Sequence, residues 1–113
     1  MHTRRLGRSG LHVSRLALGT LTWGLSVDAE VARDLLTAYV EAGGALVDTA
    51  HGYGGGVAEE WLGELLGPVV PRDQVVVVSK AGIRRGPAGR VVDTSRRALL
   101  TDLDDSLRRL RTD

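Results

Sequence analysis

The sequence predicts an α/β fold: an N-terminal β-hairpin, then a short parallel sheet with helical crossovers. Three observations predict it. Apolar runs rich in β-branched residues alternate with segments of helical apolar periodicity, and such alternation implies parallel strands joined by right-handed crossovers. Each run closes on Gly or polar residues, namely Gly19-Thr20, Asp48 and Lys80, as strands do when their carboxyl ends form a functional edge. The 113 residues, 42% hydrophobic and 26% charged, suit one modest globular domain.

Arg4-Arg5-Leu6 and Leu11-His12-Val13 flank Gly7-Arg8-Ser9-Gly10, so residues 1–14 read as a hairpin cap whose glycines supply the turn. Residues 15–113 hold three βα units. Arg15 to Leu18 is a short strand. The stretch from Asp28 to Ala42 reads as a helix with a stripe at Val31, Leu35, Tyr39 and Ala42, capped by Ser26 or Asp28 and stopped by Gly43-Gly44. Ala45 to Asp48 is the second strand. A Gly-rich loop, Thr49 to Gly56, leads into a helix from Val57 to Leu66 whose apolar face is Ala58, Trp61, Leu62, Leu65 and Leu66. Glu59 and Glu60 suit the positive end of that helix, and Gly67-Pro68 ends it. Val75 to Ser79 is almost wholly apolar, the pattern of a strand buried on both faces. Ala81 to Val92 reads as a Gly/Pro/Arg loop. The last helix runs from Thr94 to Leu110, with a stripe at Leu99, Leu103, Leu107 and Leu110.

Charge and composition exclude several classes. A net charge of +1 gives no electrostatic case for nucleic acid. The arginines between Arg84 and Arg111 are interleaved with Asp93, Asp102, Asp104, Asp105 and Asp113, which reads as a solvated mixed-charge surface. The absence of cysteine excludes disulfides, thiolate metal sites and a Cys nucleophile, and fits a reducing cytoplasm. There is no apolar N-terminal region of signal-peptide type and no run near the roughly 20 apolar residues of a membrane span. No His and carboxylate pair has metal-ligand spacing. His2 and His12 read as surface residues of the hairpin, and His51 as a variable loop residue.

Lys80 is the only lysine; the other fourteen Lys and Arg residues are all Arg. A guanidinium is a planar fork, whereas the lysine ammonium is a compact charge on a flexible stem, better suited to tuning a neighbour. Strand-end Asp48, loop Tyr53 and strand-end Lys80 therefore form a candidate proton-transfer set. Taken singly, each has a plainer reading: a turn-bonding Asp, a packing Tyr, a solvated Lys.

In order along the chain, Arg5-Leu6-Gly7-Arg8-Ser9-Gly10-Leu11, Val13-Ser14-Arg15-Leu16, Leu18-Gly19-Thr20, Asp48-Thr49-Ala50-His51-Gly52-Tyr53-Gly54, Ser79-Lys80 and Ser106-Leu107-Arg108-Arg109-Leu110 resemble the N-terminal portion of an aldo-keto reductase. The resemblance implies the first three βα units of a (β/α)₈ TIM barrel, left incomplete here. It implies an NADPH-dependent oxidoreductase that reduces an aldehyde or ketone to an alcohol, with a small carbonyl substrate. Tyr53 would be the general acid, with Asp48 and Lys80 the other catalytic residues. Gly19, Thr20 and Asp48 would meet the cofactor, and Trp23 would wall the substrate pocket. Elementary chemistry agrees. A free tyrosine hydroxyl gives up its proton too reluctantly for easy transfer near neutral pH, and a close ammonium stabilises tyrosinate.

A dinucleotide-binding glycine loop is the rival motif. Gly52-Tyr53-Gly54 begins as G-x-G, but the third required position is Val57 and the loop starts well past the strand end. The sequence also departs from the family pattern. The family's fourth catalytic residue, a His on the fourth strand, has no counterpart in these residues, nor have the loops that grip the cofactor phosphates. A full barrel takes about 250 residues. The expectation is a truncated chain with little activity alone. The alternative is a non-catalytic nucleotide-sensing or regulatory subunit of the same ancestry, associating through its open strand edges.

Overall fold

The computed structural model describes all residues, Met1–Asp113. β1 (Thr3–Arg5) and β2 (His12–Ser14) pair antiparallel, with Arg4 opposite Val13, and form the expected hairpin. It packs beneath the sheet. The Ser14 hydroxyl accepts from the Ala45 N–H at 3.0 Å and lies 2.8 Å from the Tyr39 hydroxyl, which in turn accepts from the Leu46 N–H at 3.1 Å. These bonds fix the amino-terminal end of the sheet and leave the opposite end open.

The sheet has three strands, β3 (Leu18–Gly19), β4 (Leu46–Asp48) and β5 (Val76–Val78), in that order and all parallel. It does not close. β4 is central, and β3 and β5 are edges. β5 was expected to be buried on both faces; instead Val76 and Val77 are half-buried and Val78 is 39% exposed, because nothing pairs with its outer edge. The chain is a slab of 41 × 36 × 21 Å with a radius of gyration of 14.4 Å, above the roughly 13 Å of a compact chain this long.

α1 (Ala29–Glu41) is capped by Asp28, whose carboxylate accepts from the Val31 N–H at 2.9 Å. Its buried face is Ala32 and Leu36, with Tyr39 and Val40 half-buried; Val31 and Leu35 point outward. α2 (Val57–Leu65) buries Ala58, Leu62 and Leu65 as its spacing predicts. The core is Val47 and Val75 of the sheet region, Trp23, and these helix residues.

α3 (Arg96–Leu110), capped by Ser95, differs from expectation in the face it buries. Ala98, Asp102, Ser106 and Leu110 are inside, while Leu99 and Leu103 are exposed. The face is chosen by how closely α3 approaches α2. Gly63 of α2 lies against the Arg109–Leu110 backbone, where an added Cβ would stand 2.1 Å from the Arg109 carbonyl oxygen. So close a contact needs glycine at position 63, and the face of α3 turned inward carries Ala98 and Ser106 rather than Leu99 and Leu103. The expected loop from Ala81 to Val92 is a second hairpin, β6 (Ile83–Gly86) and β7 (Gly89–Val92), turned by Pro87-Ala88 with Gly89 at φ +110°. No helix is long and apolar enough to cross a membrane.

Candidate active site

The carboxyl edge of the sheet is built by hydrogen bonds that continue past each strand. Thr20 N–H donates to the Asp48 carbonyl at 3.0 Å, Thr49 N–H to Val78 at 2.8 Å, and His51 N–H to Lys80 at 3.0 Å. The ladder thus places Lys80 beside the 49–51 segment. Lys80 Nζ donates to Asp48 Oδ2 at 2.7 Å, to the Thr49 carbonyl at 2.9 Å and to the Tyr53 hydroxyl at 3.1 Å. It stands 4.7 Å from the Tyr53 ring centre, within cation–π range. The structure therefore brings Asp48, Tyr53 and Lys80 together at one rim. Burial pulls the Lys80 pKa down, but the hydrogen bonds and charges of Asp48 and Tyr53 more than offset it and hold the ammonium above its ordinary 10.5.

Tyr53 reaches this point because its loop is tightly wound. Residues Tyr53–Gly56 form a 3₁₀ turn in which three glycines have positive φ, and Gly56 at φ +108° leads into α2. The φ of Gly56 favours glycine, and a Cβ there would meet the Arg109 guanidinium at 2.6 Å, so that side chain would have to shift. Arg109 donates to the His51 carbonyl at 3.2 Å and to Glu59 Oε2 at 3.3 Å. Fully buried Glu59 accepts from the Ser79 hydroxyl at 2.6 Å. One buried carboxylate thereby ties the Ser79-Lys80 strand end, the Tyr53 loop and α3 together.

A second group lies alongside. Buried Asp102 accepts from the Gly82 N–H at 2.8 Å and pairs with Arg84, which anchors the second hairpin to α3. His51, read as a variable loop residue, is buried: its Nε2 is 3.4 Å from Asp105 Oδ2 and 3.7 Å from Asp102 Oδ1. Burial alone would push the Asp102 carboxyl up, but the Gly82 N–H, Arg84 and His51 hold it below the ordinary aspartate value. For Asp105, burial is likewise outweighed, by the hydrogen bond from His51 and by Arg108.

The remaining expected site residues fall in two groups. Gly19 is exposed at the rim, with nothing within 4 Å of where a Cβ would stand. Thr20 is fully buried, and its hydroxyl bonds the Asp48 carbonyl at 3.2 Å. Trp23, expected to wall a pocket, is 1% exposed and packs in the core instead. Its carbonyl supports the Tyr53 loop, 2.7 Å from where a Gly54 Cβ would be. A cleft of about 580 Å³ opens before Tyr53 and Lys80, and its outer wall is the second hairpin. Sequence reading missed Glu59, Arg109 and Asp102 as supports of the site. An acid fully inside a helix face, as Glu59 and Asp102 are, was the available signal, hidden because each also fits a solvated helix surface.

Residues 15–113 match the pattern of the aldo/keto reductase family. The chain is 35% identical to aldo-keto reductase ausK of Emericella nidulans over 92% of its own length and 30% of that protein's. It is 32% identical to norsolorinic acid reductase B of Aspergillus parasiticus, over 92% and 31%. Among solved structures, it superposes on PA4992 of Pseudomonas aeruginosa with a TM-score of 0.89 at 40% identity, covering 98% of this chain and 43% of that one. On aldo-keto reductase AKR11C1 of Bacillus halodurans, in its holo form, the TM-score is 0.86 at 36% identity, covering 100% and 37%. The chain thus spans 30% to 43% of the length of these relatives. An open parallel sheet with its polar residues at the carboxyl edge, the matched residues and these superpositions lead to one conclusion: the chain belongs to the aldo/keto reductase family.

Proposed function

We propose that the chain carries the proton-transfer part of an NADPH-dependent oxidoreductase site that reduces an aldehyde or ketone to an alcohol. The observation that carries this reading is the Lys80 ammonium bonded at once to Asp48 at 2.7 Å and Tyr53 at 3.1 Å. Tyr53 donates its hydroxyl proton to the carbonyl oxygen. The tyrosinate left behind faces an ammonium that stays charged across the physiological range, which stabilises it. Asp48 holds Lys80 in place.

NADPH, when bound, supplies the hydride. Gly19 and Asp48 fit a cofactor at the rim, since Gly19 is exposed and open above its Cα. The Thr20 hydroxyl is already committed to Asp48, so its part is to fix that strand end. At the scale of the fold, we read residues 1–14 as a cap and 15–113 as three βα units of a (β/α)₈ barrel, a reading supported by the parallel order and by polar chemistry at the carboxyl edge.

The 113-residue chain by itself is expected to oxidise NADPH at background rate with a panel of aldehydes. The decisive experiment joins residues 1–113 to the remainder of AKR11C1 in place of its aligned portion. The chimaera should reduce aldehydes with NADPH, and Tyr53→Phe should cut the rate by about 10²-fold or more. A folded, active chimaera indifferent to Tyr53→Phe would sink the assignment.

One observation favours a second reading, an interaction or regulatory module. Leu99 and Leu103 of α3 are 38% and 49% exposed, an apolar face of the kind that marks interfaces.

A further inference from the structure

The hairpin in front of Tyr53 and Lys80 contains an arrangement that folding does not need. Arg85 of β6 lies directly opposite Arg90 of β7. Directly opposed residues share a face of the ribbon, and like charges so placed destabilise it. Both are exposed, and neither side chain makes a hydrogen bond or ion pair within the chain, whereas neighbouring Arg84 is neutralised by Asp102. Both line the 580 Å³ cleft together with Tyr53 and Lys80, and no acidic residue lines it. The hairpin is held at a fixed distance from the Tyr53 loop. A Cβ on Gly52 would be 2.9 Å from the Ile83 carbonyl oxygen, so the two backbones touch. The cleft therefore has a hydroxyl and an ammonium at its inner end and two uncompensated guanidinium groups on its outer wall.

We propose that Arg85 and Arg90 form an anion site, and that the carbonyl substrate of this chain carries a carboxylate. The proposal rests on Tyr53 as proton donor and adds the substrate class. A carboxylate between the two arginines replaces their repulsion with two charge-assisted hydrogen bonds, for which the guanidinium fork is well shaped. A neutral carbonyl compound leaves that repulsion in place. The shared pull orients such a substrate with its anion outward and its carbonyl toward Tyr53.

The test measures binding to the full 113-residue chain by calorimetry or NMR titration at low salt. Probes are 4-formylbenzoate, its neutral methyl ester, benzoate, and 2′,5′-ADP as a source of cofactor phosphate. The acid should bind about fivefold or more tighter than the ester. That advantage should vanish in Arg85→Ala/Arg90→Ala, persist in part in Arg85→Lys/Arg90→Lys, and shrink as salt rises. Circular dichroism checks that the variants stay folded. Equal binding of acid and ester by the unaltered chain, or an advantage kept by the double alanine variant, overturns the proposal. So does loss of 2′,5′-ADP binding alone in that variant, which would assign the arginines to a nucleotide phosphate. Tyr53→Phe separates the two readings. Weaker binding of 4-formylbenzoate with benzoate unchanged supports both. An unchanged acid preference with no effect of Tyr53→Phe on either ligand leaves the arginine pair as an anion site and overturns Tyr53 as the group that meets the carbonyl.

Discussion

Without the Asp48 carboxylate, Lys80 keeps only the Thr49 carbonyl and the Tyr53 hydroxyl as partners. Because the pair is half-exposed, at 47% and 38%, solvent screens it, and Asp48→Asn should change stability by no more than about 1 kcal/mol. Its effect belongs on the ammonium instead. A raised lysine pKa stabilises the fold below 10.5 and ceases to do so as pH rises through the higher folded value. With a single lysine in the chain, NMR of Nζ reads this directly. The midpoint should lie above 10.5 and fall in Asp48→Asn; an unmoved midpoint would show the contact to be absent in solution. Asp102 behaves in the opposite sense. Its carboxyl, like that of Asp105, is held below 3.8, so each stabilises the fold above that pH and stops doing so as pH falls through the lower folded value. Asp102→Asn should cost about 1–3 kcal/mol at pH 7 by denaturant titration, since it weakens a buried acceptor and its ion pair. It should also flatten the loss of stability between pH 4 and the acid limit; a variant as acid-sensitive as the parent would contradict this.

At the scale of elements, two helices bury faces offset by one position from the leucine stripes. On α1, Leu36 is fully buried and Leu35 is 43% exposed. Thermal or chemical unfolding should find Leu36→Ala costing about 2–5 kcal/mol and Leu35→Ala under about 1 kcal/mol. Equal costs would mean the helix is rotated from its place here. The α2–α3 contact gives a second test. Ala is the better helix former by about 1 kcal/mol, yet Gly63→Ala drives a methyl into the Arg109 carbonyl. The net effect should be destabilising, by roughly 1–3 kcal/mol. A stabilised Gly63→Ala variant would show that the helices are further apart.

At the scale of the molecule, the sheet ends at β5 with unpaired backbone groups, and Leu99 and Leu103 of α3 are exposed. Edges of this kind pair with other chains. Light scattering should show association that grows with concentration and that Leu99→Gln/Leu103→Gln weakens. A well-dispersed monomer over the whole range would refute it. The slab shape has the same origin: only 25 of 113 residues are buried, so one layer of helices covers one side of a sheet too narrow to curve round on itself.

The sequence alone determined the order of the parallel strands and their helices, the Asp28 cap and the three residues that meet at the rim. Asp28 before a helical run, glycines closing it, and Asp48 and Lys80 at the ends of apolar runs are local facts, set by backbone sterics and by polar groups seeking water or one another. The family followed from the same residues. Burial was not local. Which stripe of α3 turns inward depends on Gly63 of another helix, and whether β5 is covered depends on a neighbour strand. The arginine-rich stretch after Lys80 read as loop because its composition masks the alternation of a hairpin; only the pairing of Arg84 with Asp102 and the close approach of Gly52 to Ile83 fold it over the site. Trp23 looked like a pocket wall from its place after Gly19-Thr20, but it has the largest apolar surface in that loop, and the core between sheet and helices took it in.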